Sequence, residues 1–193
     1  MKLKDSKTYQ NLARAYAAEC QARTRYEFIE YGARMQGYKQ LAEVIDKIVY
    51  NEFNHARMFY TKLHDADPSL LKSIQINADY PFKEGWDLLE SLKFASEDED
   101  AEAKLYPKFA KTAEEEGYTQ IATLFRQIAE IEKAHKKTFL TLYKQLSENS
   151  LYEKPKPTEW KCTACGYTST DKKAFEVCPV CMEKQGGVAL KIC

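Results

Sequence analysis

An internal repeat of fixed offset constrains this chain more than any other feature. Moving 80 positions along the sequence carries Glu19 to Glu99, Tyr26 to Tyr106, Ala33 to Ala113 and Gly37-Tyr38 to Gly117-Tyr118. The same step carries Gln40 to Gln120, Leu41 to Ile121, Ala42 to Ala122, Ile48 to Ile128, Glu52 to Glu132, His55 to His135 and Phe59 to Phe139, without a gap. Solenoids need three or more copies to stack. Two copies of a helix pair point instead to a pseudo-symmetric four-helix bundle.

Each half carries a Glu and then, 33 positions on, a Glu-x-x-His: Glu19 with Glu52 and His55, Glu99 with Glu132 and His135. Residues three apart share a helix face, so each motif sets a carboxylate beside an imidazole. A salt-bridged surface pair looks the same in sequence, and a satisfied core pair is the bland alternative for one copy. Two copies in register, using two of only three histidines, favour a metal site on a pseudo-two-fold axis.

The periodicity predicts four helices. Ser6 is the N-cap of the first, which runs to about residue 34 with Leu12, Tyr16, Glu19, Arg23, Tyr26 and Glu30 on one stripe. Ala15, Ala22 and Phe28 beside that stripe argue against its full exposure, and Gly37 marks the turn. The second helix covers roughly 38–64, with Leu41, Ile45, Ile48, Glu52, His55 and Phe59 in its seam. An acid and an imidazole left unpaired in such a seam would cost several kcal/mol. Residues 65–84 hold Pro68 and Pro81, precede Gly85 and show no long period, which predicts a crossover. A connection of that length lets the second and third helices run parallel.

The third helix begins near Trp86 and aligns Leu92, Ala95, Glu99, Glu102, Tyr106, Phe109 and Ala113. Glu102 shares the face of Glu99 and replaces Ala22 of the first half, whereas Glu97 maps to Ala17 and is read as surface. Pro107 is a candidate kink. After Gly117 the fourth helix carries Ile121, Leu124, Ile128, Glu132, His135, Phe139 and Leu142 and ends near Ser147. Residues 148–159, with Lys154-Pro155-Lys156-Pro157, read as a linker between a domain at 1–147 and another at 160–193.

Five acids in one bundle core cannot all stay ionised without compensating charge. Two divalent cations nearly balance them, and carboxylate with imidazole suits iron or manganese. Tyr26 and Tyr106, related by the repeat, are candidates for hydrogen bonds to ligand carboxylates, with simple packing as the alternative. A second site follows in Cys162-x-x-Cys165-Gly166-Tyr167 and Cys178-Pro179-x-Cys181. Four thiolates at this spacing make a tetrahedral site for zinc or a single iron. Cys20 reads as a small apolar packing residue, and Cys193 has no assigned role.

Composition excludes little but does so cleanly. With 29 basic and 29 acidic residues the formal charge is zero, which gives no reason to expect nucleic acid or an anionic membrane. No apolar run approaches the roughly 20 residues of a membrane span, and Met1-Lys2-Leu3-Lys4-Asp5-Ser6 is not a secretory signal. A cytoplasmic location is the expectation.

The chain resembles rubrerythrin over essentially its whole length, on Glu19, Glu52-x-x-His55, Glu99-x-x-Glu102 and Glu132-x-x-His135 followed by the four-cysteine motif. The resemblance implies a ferritin-like all-α bundle with one long crossover, holding two irons, and a C-terminal rubredoxin-like domain holding one, with zinc as the other occupant in isolated protein. It implies a non-haem peroxidase that reduces hydrogen peroxide to water in an anaerobe-type cytoplasm. Two ferrous ions would each give one electron, returned by a nicotinamide-driven reductase or a rubredoxin through the four-cysteine iron. It further implies that one iron exchanges Glu102 for His55, and that subunits form a head-to-tail homodimer. One spacing departs from the family pattern: the step from Glu102 to Tyr106-Pro107 is one residue shorter here. Two competing readings are a ferroxidase or iron-handling protein, and a binding module with a zinc ribbon.

Overall fold

The computed structural model describes residues 2–66, 73–82 and 87–191. Helix α1 (Lys7–Met35) starts where the Ser6 hydroxyl accepts the Tyr9 amide at 3.1 Å. That satisfies one of the four amides a helix N-terminus leaves open. Glu116, more than 100 residues away, satisfies two more: its carboxylate accepts the Lys7 and Thr8 amides at 3.0 and 2.8 Å and the Thr8 hydroxyl at 2.6 Å. The far hairpin thus caps the near one.

At the other end of α1, Gly37 takes φ +87°. There the Tyr38 N–H reaches the Ala33 carbonyl at 2.9 Å and the Gly37 N–H reaches Arg34 at 3.0 Å. This closure needs a residue with positive φ, which glycine adopts without a Cβ penalty. The repeat reproduces it with Gly117 at φ +86°, Tyr118 on Ala113 at 2.7 Å and Gly117 on Glu114 at 2.9 Å. These turns fold α2 (Lys39–Ala66) back on α1, and α4 (Thr119–Ser147) back on α3 (Leu88–Glu115). The Asp87 carboxylate caps α3 by accepting the Glu90 amide at 2.7 Å. Helix α3 continues through Pro107 without a break. Between α2 and α3, residues 73–82 form neither helix nor strand. They lie along the bundle, where Gln21 Nε2 donates to the Pro81 carbonyl at 3.3 Å and Ile74 and Ile76 pack on the core. Pro68, Gly85, Trp86 and Cys193 fall outside the described residues.

The apolar core is divided in two. One cluster gathers Leu12, Phe59, Tyr106, Ile121, Phe125 and Ile128; the other gathers Tyr26, Leu41, Ile45, Ile48, Leu92 and Phe139. The 80-residue step exchanges them: Leu41 and Ile48 of one map to Ile121 and Ile128 of the other. The aromatic pair Tyr26–Phe139, 4.8 Å between rings, maps likewise to Tyr106–Phe59 at 5.7 Å. Three details differ from expectation. Phe28 is exposed, Leu124 is only half-buried while Phe125 takes its place in the core, and Cys20 is half-buried; Glu97 is exposed as read.

The expected linker is shorter than residues 148–159. Strand β1 (Glu153–Lys161) pairs antiparallel with β2 (Thr168–Lys173), and Leu151 is already buried. Pro155 and Pro157 suggested a spacer, but the ladder is irregular between Glu153 and Thr158, where no proline N–H is required. Beneath the ribbon Trp160, Ala174 and Val188 form a small core, with Trp160 Nε1 donating to the Asp171 carbonyl at 3.0 Å. The small unit sits on the α1–α2 turn: Lys39 pairs with Glu183 at 2.8 Å, and Gln145 donates to the Lys191 carbonyl at 2.9 Å. Gly186 approaches so closely that a Cβ there would meet the Gly37 carbonyl oxygen at 1.8 Å.

Glu116→Ala removes the cap on α1 and is expected to cost about 1 kcal/mol at neutral pH. The amides and hydroxyl around Glu116 outweigh its burial and hold its carboxyl below the usual 4.5. Its contribution is therefore complete above that value and fades as pH falls through the depressed one. Denaturant titrations should show the gap between wild type and Glu116→Ala narrowing on acidification below the ordinary carboxylate range.

Candidate metal centres

Between the two apolar clusters lie six buried polar side chains: Glu19, Glu52, Glu99, Glu132, His55 and His135. Each of α1 and α3 supplies one glutamate, and each of α2 and α4 supplies Glu-x-x-His. Their ligand atoms form two overlapping groups, Glu19–Glu52–His55–Glu132 and Glu52–Glu99–Glu132–His135, within each of which the atoms lie within 4.8 Å of one another. Glu52 and Glu132 belong to both. His55 Nδ1 lies 3.1 Å from Glu52 Oε2, 3.0 Å from Glu132 Oε1 and 3.5 Å from Glu19 Oε2. His135 Nδ1 lies 2.9 Å from Glu52 Oε1, 2.8 Å from Glu132 Oε2 and 3.7 Å from Glu99 Oε1. The shared carboxylates each present one oxygen to each imidazole, as a pair of ions bridged by them requires.

Electrostatics describe the same preference. Burial pushes the Glu19, Glu99 and Glu102 carboxyls well above the usual range, with neighbouring acids adding to the shift. Burial acts on Glu52 too, but His135 and His55 overcome it and bring the carboxyl down to about 2. Burial would lower both imidazoles, yet Glu132, Glu52 and Glu99 raise His135 to about 12, and Glu132, Glu19 and Glu52 raise His55 further still. Protons here neutralise a cluster whose chemistry suits cations. Both oxygens of Glu99 and Oε2 of Glu19 have no hydrogen bond among the described residues. Buried carboxylate oxygens without donors are costly, and metal ions remove that cost. Oxygen and imidazole donors fit two iron ions.

The second nitrogen of His135, Nε2, lies 3.3 Å from Asn51 Oδ1. That contact suits an Nε2–H donated to the amide oxygen, which would orient the ring so that a metal ion replaces the proton on Nδ1 among the carboxylates. Asn51 was not legible as a site residue, because its repeat counterpart is Ile131. Of the tyrosines, Tyr106 donates its hydroxyl to Glu19 Oε1. The Tyr26 hydroxyl is buried without a hydrogen-bond partner among the described residues, so the repeat's symmetry stops at the tyrosines. Glu102 stands outside both groups and lines a pocket beside Tyr106.

The four cysteines converge as well, with Cys162 Sγ 3.7 Å from Cys181 Sγ and Cys165 Sγ 3.6 Å from Cys178 Sγ. Two matching knuckles position them: the Gly166 N–H returns to the Cys162 carbonyl at 2.9 Å and the Met182 N–H to Cys178 at 3.0 Å. Gly166 has φ +82°, and Met182 occupies the same left-handed region at φ +64° without being glycine. Cys162 and Cys178 are buried, whereas Cys165 and Cys181 are exposed. Burial opposes ionisation of Cys178, but the Cys181 and Val180 amides bring its thiol down to about 7. A tetrathiolate site of this kind fits one iron.

Comparison with known proteins agrees with both centres. The rubrerythrin family model matches residues 10–87 and 90–170, and that of the rubrerythrin rubredoxin-like domain matches 160–186. The rubrerythrin of Clostridium perfringens is 40% identical over 184 residues, covering 95% of this chain and 93% of the relative. That of Porphyromonas gingivalis is 38% identical over 184 residues, covering 95% and 89%. Among solved structures, partially reduced nigerythrin superposes with a TM-score of 0.63 at 25% identity, covering 97% of this chain and 90% of that one.

Asn51→Ala frees the His135 ring, and affinity for the second ferrous ion is expected to fall roughly 10- to 100-fold. Equilibrium metal titration checks this, with the four-cysteine site as internal reference.

Proposed function

Because the chain belongs to the rubrerythrin family, an oxidoreductase family carrying a di-iron and a rubredoxin-like centre, we propose that it reduces hydrogen peroxide to water. The observation that carries this reading is the pairing, in one chain, of two ligand groups sharing Glu52 and Glu132 with a preassembled four-cysteine site. Reduction of hydrogen peroxide takes two electrons and two protons, breaks the O–O bond and yields two waters. A bound ferrous pair supplies two electrons at one place, and a four-cysteine iron supplies single electrons for their return.

The chain's own residues then have separable tasks. Glu19, Glu52, Glu99, Glu132, His55 and His135 hold the pair, and the shared carboxylates keep its members together. Tyr106 holds Glu19 in place through its hydroxyl. Glu102, outside the two groups yet beside them, is placed to bear a proton, since burial favours its neutral form. Its proximity to Glu19, whose charge acts on it most strongly among the neighbouring acids, supports reading Glu102 and His55 as the two groups that exchange as ligands of one iron. Cys165 and Cys181 form the exposed edge of the electron-entry site, among the exposed Val177, Val180 and Met182. An apolar rim around exposed thiolates suits docking of a reductase, a rubredoxin or the bundle of a second, head-to-tail copy. The donor chain is read as starting from reduced nicotinamide. No helix among the described residues is long and apolar enough to cross a membrane; a cytoplasmic location is part of this reading.

The test is stopped-flow mixing of anaerobically reduced, iron-loaded protein with stoichiometric hydrogen peroxide, following the visible absorption of the ferric four-cysteine centre. Fast return of colour, much faster with peroxide than with oxygen and lost in Glu52→Ala, is the expected result. Reaction with oxygen alone would favour an iron-oxidising role instead.

A further inference from the structure

A pocket of about 350 Å³ opens between α1 and α3 beneath residues 77–81 of the crossover. Glu102 and Tyr106 line its inner end, and this Tyr106 hydroxyl is the one that donates to Glu19. The pocket therefore ends against the metal-binding group. Its α1 wall sets Ala15 and Ala18 among Arg14, Gln21 and Arg25, and its α3 wall includes Leu105. The roof is fixed by the hydrogen bond from Gln21 to the Pro81 carbonyl.

Three buried polar atoms on this lining have no hydrogen-bond partner among the described residues: the Tyr80 hydroxyl, Arg14 Nε and Arg25 Nε. All three are donors, and a buried donor left unmet is costly. Opposite them Glu102 offers an acceptor when ionised and a donor when protonated. A hydroperoxide, R–O–O–H, meets this set: one O–H to donate, two oxygens to accept, and an organic group for the alanine wall. Hydrogen peroxide alone leaves most of the volume unused, since a water takes up only about 30 Å³ in the liquid. On the same lining the Arg25 guanidinium is ion-paired with Asp98.

We propose that this pocket binds the peroxide ahead of reduction and admits small alkyl hydroperoxides as well as hydrogen peroxide, with Tyr80 and Arg14 orienting the O–O group. This rests on the peroxide-reducing reading given above. The chemistry balances in the same way: ROOH with two electrons and two protons gives ROH and water, and the electrons come from the same reduced centre. No further co-reactant is needed.

Two measurements test it. The first compares tert-butyl hydroperoxide with hydrogen peroxide on iron-loaded protein. Ala101 is exposed and lines the pocket, so Ala101→Trp narrows the entrance without disturbing the core. Its kcat/KM for tert-butyl hydroperoxide should fall about tenfold or more, while that for hydrogen peroxide falls no more than about threefold. Tyr80→Phe should raise KM several-fold for both peroxides at nearly constant kcat, with iron content unchanged. The second measurement soaks tert-butyl hydroperoxide into crystals of the zinc-loaded protein, which has no electrons to give. Density for the molecule beneath Tyr80 is expected. The proposal is overturned by an empty pocket, by an unchanged peroxide ratio in Ala101→Trp, or by hydrogen peroxide reduction with none of the alkyl peroxide; in each case the peroxidase reading survives. Failure of the wild type to reduce either peroxide removes both.

Discussion

Six ionisable side chains sealed between two apolar clusters set the terms for the rest of this structure. Water cannot solvate Glu19, Glu52, Glu99 and Glu132, and His55 and His135 alone leave several of their oxygens without donors. Such a centre is tolerable only when cations or protons fill it. The bundle is built to make filling it unavoidable. Each hairpin closes with a left-handed glycine, each brings one Glu-x-x-His to the midline, and the two apolar clusters hold the helices in register above and below.

Pseudo-symmetry explains the architecture, and its breaches locate what is specific to this chain. Glu102 replaces Ala22, Asn51 faces His135 where the repeat offers Ile131, and Tyr106 reaches Glu19 while Tyr26 reaches no carboxylate among the described residues. The first group thus has a spare acid and a tyrosine anchor; the second has an amide anchor. The pocket beneath the crossover opens toward Glu102 and Tyr106, the half with the spare acid.

The sequence made the helices, the turns at Gly37 and Gly117, and the two metal-ligand sets legible because each follows from periodicity or spacing. The 80-residue repeat separated Glu99 from its acidic neighbours Glu97, Asp98 and Asp100, a choice composition could not make. What it hid has no period. Tyr80 and Arg14 meet only after an irregular crossover folds over α1, and Asn51 acquires meaning only through a ring on another helix. Pro155 and Pro157 imitated a linker because a two-stranded ribbon, all edge, tolerates proline where a wider sheet would not. Met182 hid for the opposite reason: its left-handed backbone is a glycine's place, and no glycine marks it.

The central claim is that Glu52 and Glu132 tie two ions into one unit. Mössbauer spectroscopy of protein loaded with iron-57 and oxidised, at liquid-helium temperature in a weak field, addresses it directly. A bridged ferric pair couples its spins to a diamagnetic ground state. The bundle iron should then appear as unsplit quadrupole doublets, beside the magnetically split spectrum of the lone four-cysteine iron. Magnetic splitting of all the iron would mean isolated ions, and would contradict the account.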